Sequence, residues 1–311
     1  EAELLSKELA NWLGYDRCLL FNSGYQLNLG IYSALSHGNK PIKIWLDKRS
    51  HASHIDGILL SKTNFETFTP ANIFNIFEKI IANTSTHHII LSEGIFSMDG
   101  SCEYLPELIK FRQNNPDNVM LVIDDAHGIG TIDELGHGSL KDKTVDLLIG
   151  TLGKSFGAHG GFICGNHTII NYLQQSVRSQ IFSTFLPPAL FAASRMSLKI
   201  IMSQQGMALR QKLYNNIMNW KSLAQKSGLS IYNQKTNLSP IQLLTFNNIK
   251  QLDLIHHTLI RNNILTGKMM YPTVPKNQPR LRISVTAHHQ AEDLEILIKI
   301  ISNTIRNNLY G

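Results

Sequence analysis

Two short stretches of this 311-residue sequence set reactive side chains directly after apolar runs. In Leu121-Val-Ile-Asp124-Asp-Ala-His127-Gly-Ile-Gly130 three apolar residues lead into Asp124, and His127 follows in a glycine-punctuated turn. A carboxylate there can cap a turn, or it can face a ligand at the carboxyl end of a strand. In Asp146-Leu-Leu-Ile-Gly-Thr151-Leu-Gly153-Lys154-Ser155-Phe-Gly157 a second apolar run ends at Thr151, with a lysine three residues on among glycines. Small neighbours let a ligand approach that backbone closely. One reading of Gly153-Lys154-Ser155 is the end of a nucleotide-binding P-loop, whose first glycine would fall on Leu148, inside the apolar run. The other is a Schiff-base lysine. That chemistry needs an acid beside a pyridine nitrogen and a set of phosphate-binding groups. Phe21-Asn-Ser23-Gly24-Tyr25 offers the phosphate group's site, a strand end followed by a helix start whose backbone N–H groups can hold an anion.

Other polar clusters read as structure. His87-His88, His256-His257 and His288-His289 are adjacent pairs, which point to different faces. His51 and His54 form a His-x-x-His without an acidic partner at metal spacing, so no metal site is expected. Cys18, Cys102 and Cys164 are odd in number and far apart, which suggests neither a disulfide framework nor a zinc ribbon. Met269-Met270 reads as pocket lining.

The elements that must carry these residues alternate in type. Glu3–Leu13 repeats Leu5, Leu9, Trp12 and Leu13 at helical spacing, and Ile73–Ile81 is amphipathic. Residues 42–46, 88–91, 119–123, 145–149 and 161–164 are short β-rich runs. Strands alternating with helices predict an α/β fold, a mostly parallel sheet with helices on both faces. Its ligand belongs outside the carboxyl ends of the strands. The pattern changes near Pro187-Pro188. Residues 189–227 read as two helices broken at Gly206, followed by strands at 240–246 and 281–285 and helices at 251–262 and 292–307. This gives a large domain over 1–205 and a smaller α+β domain over 206–311.

Composition narrows the classes. An apolar fraction of 43% with 17% charged residues excludes a mostly disordered chain. No apolar run approaches the ~18 residues of a membrane helix. The net charge of +6 comes from scattered Lys and Arg, which fits an anionic small substrate as well as nucleic acid and favours no nucleic-acid partner. The three scattered cysteines make a reducing cytoplasm the expected location, and the opening Glu1-Ala2-Glu3 shows no basic-then-apolar leader.

The three chemical stretches, in this order and with their companions, resemble the α-oxoamine synthases. These are pyridoxal phosphate (PLP) enzymes of fold type I, the aminotransferase class I/II fold. Leu13-Gly-Tyr, Phe21-Asn-Ser-Gly-Tyr, Ser50-His-Ala-Ser, Ser92-Glu-Gly-Ile-Phe-Ser-Met-Asp-Gly100, Asp124-Asp-Ala-His-Gly, Thr151-Leu-Gly-Lys-Ser-Phe-Gly157, Phe182-Ser-Thr-Phe-Leu-Pro-Pro188, Tyr271-Pro-Thr-Val-Pro275 and the closing Arg280-Leu-Arg282 through Thr286-Ala-His288 carry the resemblance. It implies that Lys154 holds the cofactor and moves the substrate's α-proton. Asp124 pairs with the pyridine nitrogen, His51 stacks on the ring, and His127 and Ser97 reach the phenolic oxygen. Gly24, Tyr25 and Thr151 hold the phosphate. Ser183 and Thr184 match a segment that in the family touches the neighbouring subunit's phosphate, so a homodimer is implied. Thr273 and Arg282 face the substrates, with Arg282 the partner of an amino acid's carboxylate.

Within the family the sequence is most similar to the biotin-pathway branch. The implied reaction joins L-alanine to an acyl thioester, pimeloyl on CoA or a carrier protein, with loss of carbon dioxide. Two departures fall on the acyl side. The family's N-terminal segment, glycine-rich and with an arginine linked to the acyl substrate, is not among these 311 residues, and Met270 stands where that branch has an arginine. A sibling synthase using glycine or another acyl chain therefore stays open. So do a P-loop nucleotidase and a non-catalytic module on an enzyme fold.

Overall fold

A computed structural model describes residues 1–37, 40–101, 104–141, 144–233, 237–271 and 273–309. Cys102 and Pro272, both singled out above, lie outside them. The chain divides into two units. One comprises Glu1–Ile95 and Cys102–Gly206, the other Phe96–Ser101 and Met207–Gly311.

The first unit is built on β1 (Arg17–Phe21), β2 (Ile42–Asp47), β3 (Asn64–Phe68), β4 (His87–Glu93), β5 (Val119–Asp124), β6 (Leu147–Thr151) and β7 (Gly161–Gly165). Their order across the sheet is β1-β7-β6-β5-β4-β2-β3. The pairs from β6 to β3 are parallel, and β7 is antiparallel to both of its neighbours. The expected mostly parallel sheet is therefore present, with one reversed strand.

Strand periodicity explains why helices cover both faces. Trp45, Ile90, Leu121, Ile123 and Leu148 point into one apolar cluster with the helix Ala2–Leu13. Ile44, Leu46, Ile89, Leu91, Val122 and Ile149 point into another with the helix Gly24–Leu35. Successive strand residues face opposite sides, and here both sides are buried. At the carboxyl ends of β2, β4, β5 and β6, by contrast, the residues are polar: Asp47, Glu93, Asp124 and Thr151.

The helical stretch after Pro187 breaks at Ser203, not at Gly206. The helices are Pro188–Met202 and Gln204–Lys226, and Ser203 Oγ accepts the Gly206 N–H at 3.3 Å. Gly206 serves close packing instead, since a Cβ there would stand 2.3 Å from the Ile200 carbonyl oxygen.

The second unit contains β8 (Ile241–Thr245), β9 (Gly267–Met269) and β10 (Arg280–Ser284), antiparallel in the order β8-β10-β9. The helices Ile249–Arg261 and Ala291–Leu309 pack with Trp220, Leu281 and Ile283 into its own core.

Candidate active site

Asp124 is the last residue of β5 and is 7% exposed. Its Oδ2 accepts from His54 Nε2 at 2.9 Å and from Asn28 Nδ2 at 3.5 Å, and its Oδ1 accepts the Ala126 N–H at 3.0 Å. Burial alone would raise this carboxyl's pKa. The His54 hydrogen bond and charge, the Lys154 ammonium and the Ala126 amide outweigh it and bring the pKa down to about 2. The site therefore holds a permanent buried negative charge at neutral pH.

Lys154 stands three residues beyond β6, in an exposed turn closed by a Gly157 N–H to Lys154 carbonyl bond of 3.0 Å. Its charge reaches Asp124, Glu93 and His51 alike. Ser155 secures the turn from behind, its Oγ donating to the Ile129 carbonyl at 2.7 Å. The loop between β5 and β6 is held by Asp125, which is fully buried. It accepts Ser139 N–H at 2.7 Å and Ser139 Oγ–H at 2.8 Å. Gly138 makes room for it with a φ of 89° and a would-be Cβ only 2.0 Å from Asp125 Oδ2. His127 lies half-buried in that loop.

His51 caps the helix Ala52–Ser61. Its Nδ1 accepts the Ser53 N–H at 3.3 Å and meets Ser53 Oγ at 2.7 Å, while its own N–H donates to Glu93 Oε1 at 2.5 Å. Burial lowers its pKa, opposed by the Asp124 charge. The preceding turn is fixed by Arg49, whose Nη2 and Nε lie 2.9 and 3.1 Å from the two oxygens of buried Asp47.

The helix Gly24–Leu35 starts at the end of β1. Ser23 caps it, Oγ accepting the Gln26 N–H at 3.1 Å, and the Ser23 carbonyl takes the Leu27 N–H. Those two bonds leave the Gly24 and Tyr25 amides of the first turn for an external acceptor. Around this start, Asn22 Nδ2 donates to Ser183 Oγ at 3.1 Å and to the Thr184 carbonyl at 2.5 Å, and Gln26 Nε2 reaches Ser183 Oγ at 3.4 Å. Thr151 Oγ1 donates to the Gly160 carbonyl and accepts the Gly153 N–H. The Tyr25 phenol donates to Asp56 Oδ2 at 2.6 Å.

Ser97, Thr273 and Arg282 belong to the second unit. Arg282 is half-buried in β10, and its Nε donates to the Ser97 carbonyl at 3.0 Å. Burial lowers its pKa. No carboxylate among the described residues forms an ion pair with it. Thr273 is exposed, and its N–H donates to the Met270 carbonyl.

Sequence reading missed His54. Its acidic partner is Asp124, 70 residues away, which local spacing could not supply. No cluster of three or more metal-ligating side chains occurs among the described residues.

A model of the aminotransferase class I and II family matches residues 2–301. The chain belongs to this family. Among its relatives is the 8-amino-7-oxononanoate synthase of Marinomonas sp. (strain MWYL1), 34% identical over 99% of this chain and 75% of its own length. The solved 8-amino-7-oxononanoate synthase from Francisella tularensis superposes with a TM-score of 0.83 at 28% identity, over 99% of this chain and 88% of that one. Sphingomonas wittichii serine palmitoyltransferase gives 0.91 at 25% identity, over 98% and 76%. Within the class I and II family the chain thus groups with the α-oxoamine synthases on the fold type I architecture.

The residues present suit that family's cofactor, PLP. An ionised acid sits at a strand end for the pyridine nitrogen, and a lysine shares its field. The helix start offers amides and open space, with no atom within 4 Å of a would-be Cβ at Gly24.

Proposed function

We propose that this chain is a PLP-dependent 8-amino-7-oxononanoate synthase. It joins L-alanine to a pimeloyl thioester, on CoA or a carrier protein, and releases carbon dioxide and the free thiol. The observation that carries this reading is Asp124, a buried carboxylate held ionised near pKa 2 within the field of Lys154.

When bound, PLP supplies an aldehyde that condenses with amines and a cationic ring that accepts negative charge. Asp124 keeps the proton on the ring nitrogen. Lys154 anchors the cofactor, and its Nζ takes the α-proton from alanine and later returns one to the product. His51 covers one ring face, and its place is set by the Glu93 bond to its N–H. His127 and Ser97 serve the phenolic oxygen. The Gly24 and Tyr25 amides hold the phosphate together with Thr151, Ser183 and Thr184. Arg282, without a carboxylate partner among the described residues, takes alanine's carboxylate, and Thr273 lines the substrate side.

The enzyme works in the cytoplasm as a homodimer, with no nucleic-acid or membrane partner. Phe182 is 73% exposed and Phe185 46%, on either side of Ser183-Thr184. A second copy would cover this apolar segment. Light scattering tests it, and a fully active monomer would overturn it.

Met270 supports a second reading, a sibling synthase with a different acyl chain. It is partly exposed and apolar, suited to methylenes rather than to a charged end. Turnover of L-alanine and glycine with pimeloyl and octanoyl thioesters separates the two. A kcat/KM highest for alanine with pimeloyl thioester supports the synthase. A strong octanoyl preference would move the assignment to the sibling.

A further inference from the structure

His54 is fully buried on the helix Ala52–Ser61, one turn beyond His51. A carboxylate only accepts hydrogen bonds, so the 2.9 Å contact to Asp124 Oδ2 places a proton on His54 Nε2, and the Asn28 amide nitrogen 3.2 Å from that atom has Ser53 Oγ and Asp124 Oδ2 as acceptors for its own two hydrogens. On the other side of the ring, Nδ1 meets the Tyr32 phenol at 2.6 Å, and the two rings pack edge to face with centroids 5.9 Å apart. Tyr32 is itself fully buried. The three groups form one line from the helix Gly24–Leu35, through the helix Ala52–Ser61, to the end of β5.

A core histidine satisfied by packing would need none of this. Without the imidazole, Asp124 Oδ2 would retain, among the described hydrogen bonds, the 3.5 Å contact from Asn28, and the Tyr32 hydroxyl would lose its one described partner in an apolar cluster. Both losses fall on buried polar atoms, where they cost most. The other titratable groups whose charge reaches this carboxylate are Glu93 on the neighbouring strand, the adjacent Asp125, Lys154 and His51. The described hydrogen bonds of Glu93 and His51 run to each other and to Ser53, not to Oδ2.

We infer that His54, backed by Tyr32, is a positioning residue that fixes the orientation and charge of Asp124. It thereby sets how firmly the enzyme holds the proton on the cofactor's ring nitrogen. This rests on the PLP reading above, with Asp124 as the ring's acid.

The test compares wild type, His54→Leu, His54→Gln and Tyr32→Phe. In the cofactor-free protein, ¹⁵N NMR of the histidine rings should show His54 protonated at Nε2, with a resonance that moves in Asp124→Asn. In the PLP-loaded protein, His54→Leu should slow deuterium exchange into L-alanine by roughly 10- to 100-fold, the weight of a charge-assisted hydrogen bond. It should also shift the pH profile of the bound cofactor's absorbance, and borohydride should still fix the cofactor to Lys154. His54→Gln, which can donate to the same oxygen, should recover much of the rate. Tyr32→Phe should show a smaller effect in the same direction. Wild-type exchange and an unchanged absorbance profile in His54→Leu would overturn the positioning role. So would a His54 ring that carries no proton at Nε2. Failure of borohydride to fix cofactor to wild-type Lys154 would instead overturn the PLP reading, and this proposal with it.

Discussion

Glu93 and Asp124 are register partners at the carboxyl ends of the adjacent parallel strands β4 and β5, both buried. Two neighbouring carboxyls in such a place cannot both ionise cheaply, and their surroundings drive them apart. Asp124 collects His54, Lys154 and the Ala126 amide and goes down to about 2. Burial, and then the Asp124 charge, push Glu93 well above the usual carboxyl value, opposed by the His51 N–H. One strand pair therefore carries a permanent anion beside a proton-retaining acid.

That split has a pH consequence. A raised carboxyl pKa adds stability that is complete below the unfolded value of 4.5 and is lost as pH rises through the folded value. Asp124 has the opposite sign: its contribution is present above the usual 3.8 and is lost as pH falls through about 2. Glu93→Gln keeps an acceptor for the His51 N–H but removes the ionisation. It should reduce the alkaline fall in stability, to which Asp125, raised by burial to about 7, also contributes, and leave the acid limb unchanged. Thermal melts of the cofactor-free protein from about pH 5 to about pH 9 measure this. A wild-type alkaline slope in the variant would contradict it.

Gly161→Ala probes the phosphate cradle. A Cβ there would meet Gly24 N at 2.6 Å and Gly24 Cα and Ser23 C at 2.8 Å, all backbone atoms. The helix start must shift to admit it. The expected outcome is PLP affinity weakened by ~10-fold or more, with a stability loss of about 1–3 kcal/mol. Fluorescence titration with PLP and urea unfolding read the two separately. Unchanged affinity would remove this helix start from the cofactor site.

Arg282→Lys should raise KM for L-alanine by roughly 10- to 100-fold with a smaller change in kcat. An ammonium replaces the planar fork with a point charge. The Nε bond to the Ser97 carbonyl orients that fork and leaves its outer nitrogens available. Steady-state kinetics over alanine concentration check it. An unchanged KM would release Arg282 from carboxylate binding.

How legible all this was depended on how local each signal is. Asp124 and Lys154 each follow an apolar run and sit among turn residues, so their place at strand ends could be read from a dozen residues. The start at Gly24 was equally local. The edge strand β3 gave no such signal. Asn64–Phe68 pairs only with β2 and leaves most of its residues partly or fully exposed, so its sequence lacks an apolar run. Gly206 reads as punctuation, yet it is needed for its lack of a Cβ inside a helix, a tertiary demand. His54 was illegible for a related reason, because Tyr32 and Asp124 reach it only once two helices and a strand have packed.

The central claim is that Lys154 carries the cofactor. Borohydride reduction of the PLP-loaded protein, followed by peptide mapping, tests it most directly. The account predicts a single modified peptide with the pyridoxyl group on Lys154, absent from a correctly folded Lys154→Ala variant. Label on any other lysine, or equal labelling of Lys154→Ala, would contradict it.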